Sequence, residues 1–468
     1  MAAGLLDRAY GTWIVLRNLP GQSRVPYLPR ARLEELRDTR VRDIVSYAAR
    51  TVPFYQDWFR DTATKTSDLR TADDLDRLPL VDRHMYRAHA ERFRSTSALG
   101  RTAMPLTSGG ATGEPITVYR DRNSALAKAA FTQRERDVVR KLLGGVRAPR
   151  ELTIAMHGSS TMKVTNLRRN QTFASALQRN RRVLSLLTPI DEVIAEINEF
   201  RPHSFGAYGS YVEALFRMVD QRRIPMHLPK LVIYGADGIH PDGIRLIREQ
   251  YGVGVFAKYG AIEAVPIGFL CEECRGYHLN MDLVHLKLID AHGRRVEPGE
   301  PGEVVVSSLT NRGTVLLNYR LGDIGVMSDE SCPCGRTLPL LSQLSGRVQD
   351  ILHLPGGGFL HAGAVNRVFY RGRQRDGGKV LQFQLIQRAI ADFELRLAAV
   401  DRAAYNDVVQ DYVADLEQLI GAWANIEPVY YEGRVPTGAS GKLRPVVSLL
   451  GDGKAAAQRQ GHGDNGKR

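Results

Sequence analysis

Leu106-Thr107-Ser108-Gly109-Gly110-Ala111-Thr112-Gly113-Glu114-Pro115 places three glycines and three hydroxyl residues between apolar lead-in positions and the β-like run Ile116, Val118, Tyr119. Such a loop bends tightly and turns successive backbone N–H groups inward, and its Thr and Ser hydroxyls add further donors. The result is a cradle for phosphate oxygens. No Gly-Lys-Ser/Thr triplet closes it, so it is not the P-loop of ordinary nucleotidases. On turn chemistry alone it also reads as a glycine-rich surface hairpin, and the rest of the chain has to decide between the two.

The chain has 468 residues, of which 43% are hydrophobic and 25% charged, a composition typical of globular proteins with room for two or three domains. The 64 Lys and Arg outweigh the 51 Asp and Glu, giving a net charge of +13. These cations are scattered rather than interleaved with aromatics in a stripe, which suits small anions better than a nucleic-acid groove. No run approaches the ~20 apolar residues of a membrane span. Asp7 and Arg8 precede only a short apolar patch, so the N-terminus is not read as a signal peptide, and the expected location is cytoplasmic. Four cysteines in so long a chain do not make a disulfide framework.

The fold class expected is α/β. Residues 31–60 and 123–143 have helical periodicity, and from 151 to 258 short apolar strands alternate with helices, the pattern of crossover units on a parallel sheet. Beyond about residue 278 the pattern turns β-rich. Pro355-Gly356-Gly357-Gly358 then breaks the composition before a compact α+β unit with a helix over 404–422. This divides the chain into a large N-terminal domain (1–346) with a β-rich subdomain (about 265–346), a hinge (347–350), a small mobile C-terminal domain (351–450) and a disordered tail (451–468).

Three further motifs accompany the hairpin. Tyr259-Gly260-Ala261-Ile262-Glu263 follows a strand, where α/β sheets bind ligands. Its tyrosine can stack on a purine, and its glutamate can hold a Mg²⁺ that bridges phosphates. Tyr319-Arg320-Leu321-Gly322-Asp323 offers a carboxylate suited to the two hydroxyls of a ribose. Arg434 to Arg444 carries Lys442 on a Gly/Ser-rich loop, a compact cation able to reach a carboxylate or phosphate. Each alone also reads as an ordinary surface turn.

In this order the four elements resemble the adenylate-forming superfamily of acyl-CoA synthetases over about residues 40–445. Val52-Pro53-Phe54-Tyr55, Leu78-Pro79-Leu80 and Cys332-Pro333-Cys334-Gly335-Arg336 are most similar to the phenylacetate–CoA ligase branch. The resemblance implies that Thr107, Ser108, Gly109, Gly110, Thr112 and Gly113 hold the phosphates of ATP. It puts Gly235, Ala236 and Asp237 at the adenine beside Tyr259 and Gly260, Asp323 on the ribose, Arg347 near the hinge and Glu263 on Mg²⁺. Lys442, with Glu263 and Thr107, would serve adenylation. Met156–Ser159 and Phe205–Gly209 would line the acid pocket through His157, Tyr208, Gly209 and Ala261, suiting an aryl or arylacetic acid.

Three departures keep the acceptor open between CoA, an amine and a carrier-protein thiol. Glu114 replaces a common lysine, Gln349 replaces the first hinge aspartate, and the usual basic pattern is missing from His353 to Gly358. Dimers occur among such relatives, and a non-catalytic nucleotide-binding scaffold is the rival reading from another class. The cysteines form a Cys-x-x-Cys (Cys271, Cys274) and a Cys-x-Cys (Cys332, Cys334), the spacing of a tetrahedral structural zinc site, with His278 as an alternative fourth ligand.

Overall fold

The computed structural model describes residues 4–108, 115–173, 180–347, 351–355, 358–437 and 441–450. The glycine-loop positions Gly109, Gly110, Thr112 and Gly113, the hinge residues 348–350 and the tail 451–468 lie outside them.

A two-stranded hairpin, β1 (Met104–Thr107) and β2 (Thr117–Arg120), stands apart from the main sheet. Five parallel strands follow: β3 (Glu151–Ala155), β4 (Arg181–Ser185), β5 (Ser204–Tyr208), β6 (Leu231–Gly235) and β7 (Gly254–Tyr259). The β-rich segment supplies β8 (Gly268–Leu270), β9 (Tyr277–Leu279), β10 (Val284–Ile289), β11 (Pro301–Ser308), β12 (Tyr319–Ser328) and β13 (Leu340–Arg347). These extend the same sheet antiparallel, in the order β10-β11-β12-β13-β9-β8-β7-β6-β5-β3-β4. The central parallel strands β5, β6 and β7 are largely apolar on both faces because helices cover both, as crossover connections require, whereas the edge strand β4 begins with exposed Arg181 and Arg182. Phe205, Val232 and Val255 are buried against the helices on one side, and Leu231 and Phe256 on the other.

Residues 351–450 build a second sheet, ordered β18-β17-β16-β19. The strands are β16 (Val380–Ala389), β17 (Asp392–Ala399), β18 (Asn425–Glu432) and β19 (Val446–Ser448), and a short ribbon of β14 (Ile351–His353) and β15 (Phe359–His361) precedes them. This lobe has its own core, in which Phe369 stacks between Phe383 (ring centroids 3.5 Å apart) and Tyr412 (4.9 Å).

Two helices differ from expectation for local reasons. The 31–60 helix is two, Arg30–Thr51 and Pro53–Asp61, because the residue before a proline is driven to extended backbone, and Val52 is extended. The 123–143 helix is also two, Arg122–Phe131 and Gln133–Leu142. At the break the Thr132 hydroxyl takes the Ala129 carbonyl (2.9 Å), competing with the helical ladder. Among the described residues no helix is long and apolar enough to cross a membrane.

Candidate active site

The site lies at the C-terminal ends of the parallel strands, where backbone N–H groups and loop residues converge. At the hairpin base, Ser108 N–H donates to the Ile116 carbonyl (2.8 Å), and Ile116 N–H donates back to the Ser108 hydroxyl (3.0 Å). The Ser160 hydroxyl donates to the Thr107 carbonyl (2.9 Å) from the start of helix Ser160–Gln171. Tyr86 donates to the Thr117 carbonyl (2.5 Å) on the opposite strand.

Glu263 is buried beside this base. Ala261 and Ala264 exchange backbone hydrogen bonds (3.1 Å each), closing a tight turn that lifts Ile262 and Glu263 toward the hairpin. Gly260 is required there, since a Cβ would come within 2.8 Å of Val265 Cγ1. Arg120, at the end of β2, donates to the Ile262 carbonyl (3.3 Å). Burial pushes the Arg120 guanidinium down to about 10, against the opposing pull of Asp121 and Glu263, so this cation and the glutamate share one water-poor region.

Tyr259 is buried, and its hydroxyl donates to Asp323 Oδ2 (2.8 Å). Its ring packs against Tyr277 rather than standing open for stacking (centroids 5.8 Å apart). Asp323 lies on β12 opposite Arg347 of β13, so the tyrosine, the aspartate and the end of β13 are joined in one register.

The third group lies at the ends of β5 and β6. Ala236 has a left-handed backbone (φ 73°), an uncommon conformation for a residue with a side chain and one found at functional turns. It presents Asp237, whose carboxylate accepts from the Ser210 hydroxyl (2.6 Å), Ser210 N–H (3.2 Å) and, across the lobes, Leu443 N–H (3.3 Å). Burial raises the Asp237 carboxyl to about 6, although these hydrogen bonds and the charge of Lys442 pull the other way. Gly209 has no room for a side chain, because a Cβ would fall 2.6 Å from the Gly238 carbonyl carbon. Gly441, just before Lys442, sits against Leu186 and the Tyr208 ring. Burial raises the Tyr208 phenol, against the opposing pull of the Met156 backbone in the turn that leads to Ser160. The Met156–Ser160 turn therefore connects the hairpin to the lysine loop, and His157 is exposed on it.

The residues expected from sequence thus fall into three adjoining groups: Thr107, Ser108 and Glu263; Tyr259, Asp323 and the Arg347 backbone; Gly209, Gly235, Ala236, Asp237, Tyr208 and Lys442. Sequence reasoning missed Arg120, Tyr86, Ser160 and Ser210. Arg120 merely ends an alternating run, and nothing in the chain marks it as buried. Ser210 belongs to a legible signal, since Ser210, Glu213, Arg217 and Gln221 recur at helical spacing in a largely buried helix.

The cysteine cluster favours the alternative in which His278 is the fourth ligand. Among the described residues, ligand atoms of Cys271, His278, Cys332 and Cys334 lie within 4.8 Å of one another. Cys271 Sγ is 3.6 Å from Cys332 Sγ, and Cys334 Sγ is 3.3 Å from His278 Nε2. Cys274 stands outside because its left-handed backbone (φ 52°) turns Sγ back onto the Cys271 carbonyl (3.5 Å). β9 delivers His278 instead, paired with Phe269 and Leu340.

No family model matches the chain. It is 25% identical over 349 residues to the phenylacetate–coenzyme A ligase of Thermus thermophilus, covering 72% of this chain and 75% of that protein. Among solved structures, 2-hydroxyisobutyryl-CoA ligase in its postadenylation state with an acyl-AMP has the same fold. It matches with a TM-score of 0.67 and 17% identity over 94% of both chains. The same enzyme in its thioesterification state, with acyl-AMP and CoA, gives a TM-score of 0.57 at 18% identity over 94% of both chains.

Proposed function

We propose that this chain, which has the fold of the adenylate-forming ligases and a phenylacetate–CoA ligase-like sequence, uses ATP to convert a carboxylic acid to an acyl-adenylate and then transfers the acyl group to CoA. A carboxylate is a poor electrophile. Attack of its oxygen on the α-phosphorus of ATP expels pyrophosphate and leaves a mixed anhydride, from which a thiolate displaces AMP. The protein's work is alignment and neutralisation of charge, together worth on the order of 10 kcal/mol.

The observation that supports this most directly is the seating of the Lys442 loop on Asp237 and Tyr208, one turn of chain away from the Thr107–Ser108 hairpin base. In this reading Thr107 and Ser108, with Gly109, Gly110, Thr112 and Gly113, hold the phosphates. Gly235, Ala236 and Asp237 border the adenine, Asp323 takes the ribose hydroxyls, and Tyr259 fixes Asp323. Arg347 lies at the pivot, and Lys442 bridges the carboxylate and the α-phosphate. Glu263 would hold Mg²⁺, which when bound neutralises phosphate charge, and the Arg120 guanidinium lies in the same buried region. Tyr208, Gly209, Ala261 and His157 surround the acid, an aryl or arylacetic acid being the favoured class.

The remaining four donors fit a structural zinc ion. A tetrahedral site with zinc–sulfur bonds of ~2.3 Å has sulfur–sulfur edges of ~3.7 Å, and Cys271 and Cys332 are 3.6 Å apart. Cys271, His278, Cys332 and Cys334 would then pin β8 and β9 to the loop before β13. The four cysteines are unpaired, in keeping with a reducing cytoplasm.

The test is ATP–pyrophosphate exchange over a panel of aryl and arylacetic acids, followed by thioester formation on adding CoA. Lys442→Ala is expected to lower exchange by about 10²-fold or more while sparing thioester formation from supplied acyl-adenylate. Absence of exchange with every acid of the panel would refute the reading.

A further inference from the structure

Helix Gly209–Arg222 starts at the site and runs beneath the C-terminal lobe, buried on nearly every side. Its polar stripe reaches into that lobe. Ser210 carbonyl accepts from Gln382 (2.8 Å), Glu213 Oε1 accepts from Arg373 Nη1 (2.8 Å), and Gln221 donates to the Gly377 carbonyl (2.6 Å). The same stripe holds the site, because the Ser210 hydroxyl fixes the Asp237 that receives Leu443 N–H. Glu213 and Arg373 are both buried.

What sets this ion pair apart is how each charge is held on its own side. Arg373 also donates Nε to the Val380 carbonyl (3.2 Å) and Nη2 to the Leu381 carbonyl (2.8 Å), both within its lobe. Glu213 also accepts from Arg217 Nε (3.0 Å) and His240 N–H (3.0 Å), both on the larger body. Burial alone would raise the Glu213 carboxyl, yet Arg373 and Arg217 outweigh it and leave it below the ordinary carboxylate range. Breaking a buried pair is costly when it strands a charge. Here separation removes one bond from each partner and leaves the others, and both side chains stay in position to re-form it.

We infer that Glu213 and Arg373 are a positioning pair that holds the C-terminal lobe in the orientation bringing Lys442 to Asp237, and that the pair is built to open and close between the two half-reactions. This rests on the two-step reading above. The partners of the pair are Val380, Leu381, Arg217 and His240, none of them assigned to acid or nucleotide above, so it acts through the placement of Lys442.

Arg373→Gln and Glu213→Gln test it, with phenylacetate as the probe acid. Each half-reaction is read separately: ATP–pyrophosphate exchange, and thioester formation from supplied phenylacetyl-adenylate and CoA. Exchange is expected to fall by ~10-fold or more, because the docked population shrinks, while the supplied adenylate is converted at the wild-type rate or faster. Equal losses in both halves, or none in exchange, overturn the pair. A substrate-free readout runs beside this: small-angle scattering of Arg373→Gln is expected to show a larger radius of gyration than wild type, and superimposable curves overturn the inference. If Arg373→Gln does not fold, Tyr370→Phe removes the exposed bond from Arg245 (2.7 Å) at the rim of the same contact. It should shift the ratio of the half-reactions the same way, by ~2-fold, the loss of one interdomain hydrogen bond; an unchanged ratio overturns the inference. Absence of exchange by wild-type protein with every acid of the panel refutes the ligase reading itself, and the scattering comparison still judges the pair.

Discussion

Two buried charge networks in this molecule are built on opposite plans. In the large body, Arg134 grips Asp282 with two bonds (2.7 and 2.9 Å) and also reaches Asn280 and Gln22 (3.0 Å each), while Arg40 donates to the Asp282 carbonyl (2.6 Å) and carboxylate. Every partner belongs to the same body, and both central side chains are about 1% exposed. Glu213 and Arg373 are almost as buried, but each is anchored separately to its own body and they share a single bond. A pair that never separates can concentrate all its partners at the contact. A pair that must separate has to leave each charge with company when its partner goes.

The largest effect that sharpens this contrast is on stability. Arg134→Met leaves the buried Asp282 with Arg40 as its one remaining cation and removes two of its hydrogen bonds; it is expected to destabilise the fold by about 3 kcal/mol, read as a shift in the chemical-denaturation midpoint. The same loss from Arg373→Gln would dissolve the distinction between the two networks.

The next is a pH dependence. Burial would raise the Asp282 carboxyl, but the charges of Arg134 and Arg40 and their hydrogen bonds hold it down to about 2, against 3.8 for an ordinary aspartate. An acid whose folded value is depressed stabilises the protein above its unfolded value, and that contribution is lost as pH falls through the folded one. Thermal unfolding of wild type should therefore lose about 2 kcal/mol from this group between pH 4 and pH 2. Asp282→Asn should be less stable at pH 7 and lack that part of the acid slope; an unchanged slope would show that Asp282 is not the group responsible.

The smallest expected effect concerns the other fixed cluster. Cys274→Ser should leave about one zinc per chain and a melting temperature within a degree or two of wild type. His278→Ala should lose metal, because three ligands remain where a closed structural site uses four. Elemental analysis decides: metal lost from Cys274→Ser and retained by His278→Ala would restore the four-cysteine set.

Much of the site was legible before any coordinates. The glycine-rich stretch, Tyr259–Glu263, Tyr319–Asp323 and Lys442 are short local segments whose composition suits ligand contact, and the alternation of strands and helices put three of them near strand ends. Arg120, Tyr86 and Ser160 left no trace, because their partners lie 142, 31 and 53 residues away along the chain, well beyond the reach of any local periodic mark. Spacing reports which sulfurs are close along the chain, and so could not choose between Cys274 and His278, whereas the cluster brought together in space contains His278.

The sequence by itself determined the α/β class, the candidate chemistry and the parallel character of the central region, since these follow from residue type and short-range periodicity. The tertiary structure alone decided that β8 and β9 join the β-rich segment to the parallel strands, that His278 completes the cysteine cluster, and that Glu213 meets Arg373 across the lobes. Each of these depends on strand pairing and packing between distant segments, whose energetics are set by what surrounds a residue in space and not by its neighbours in the chain.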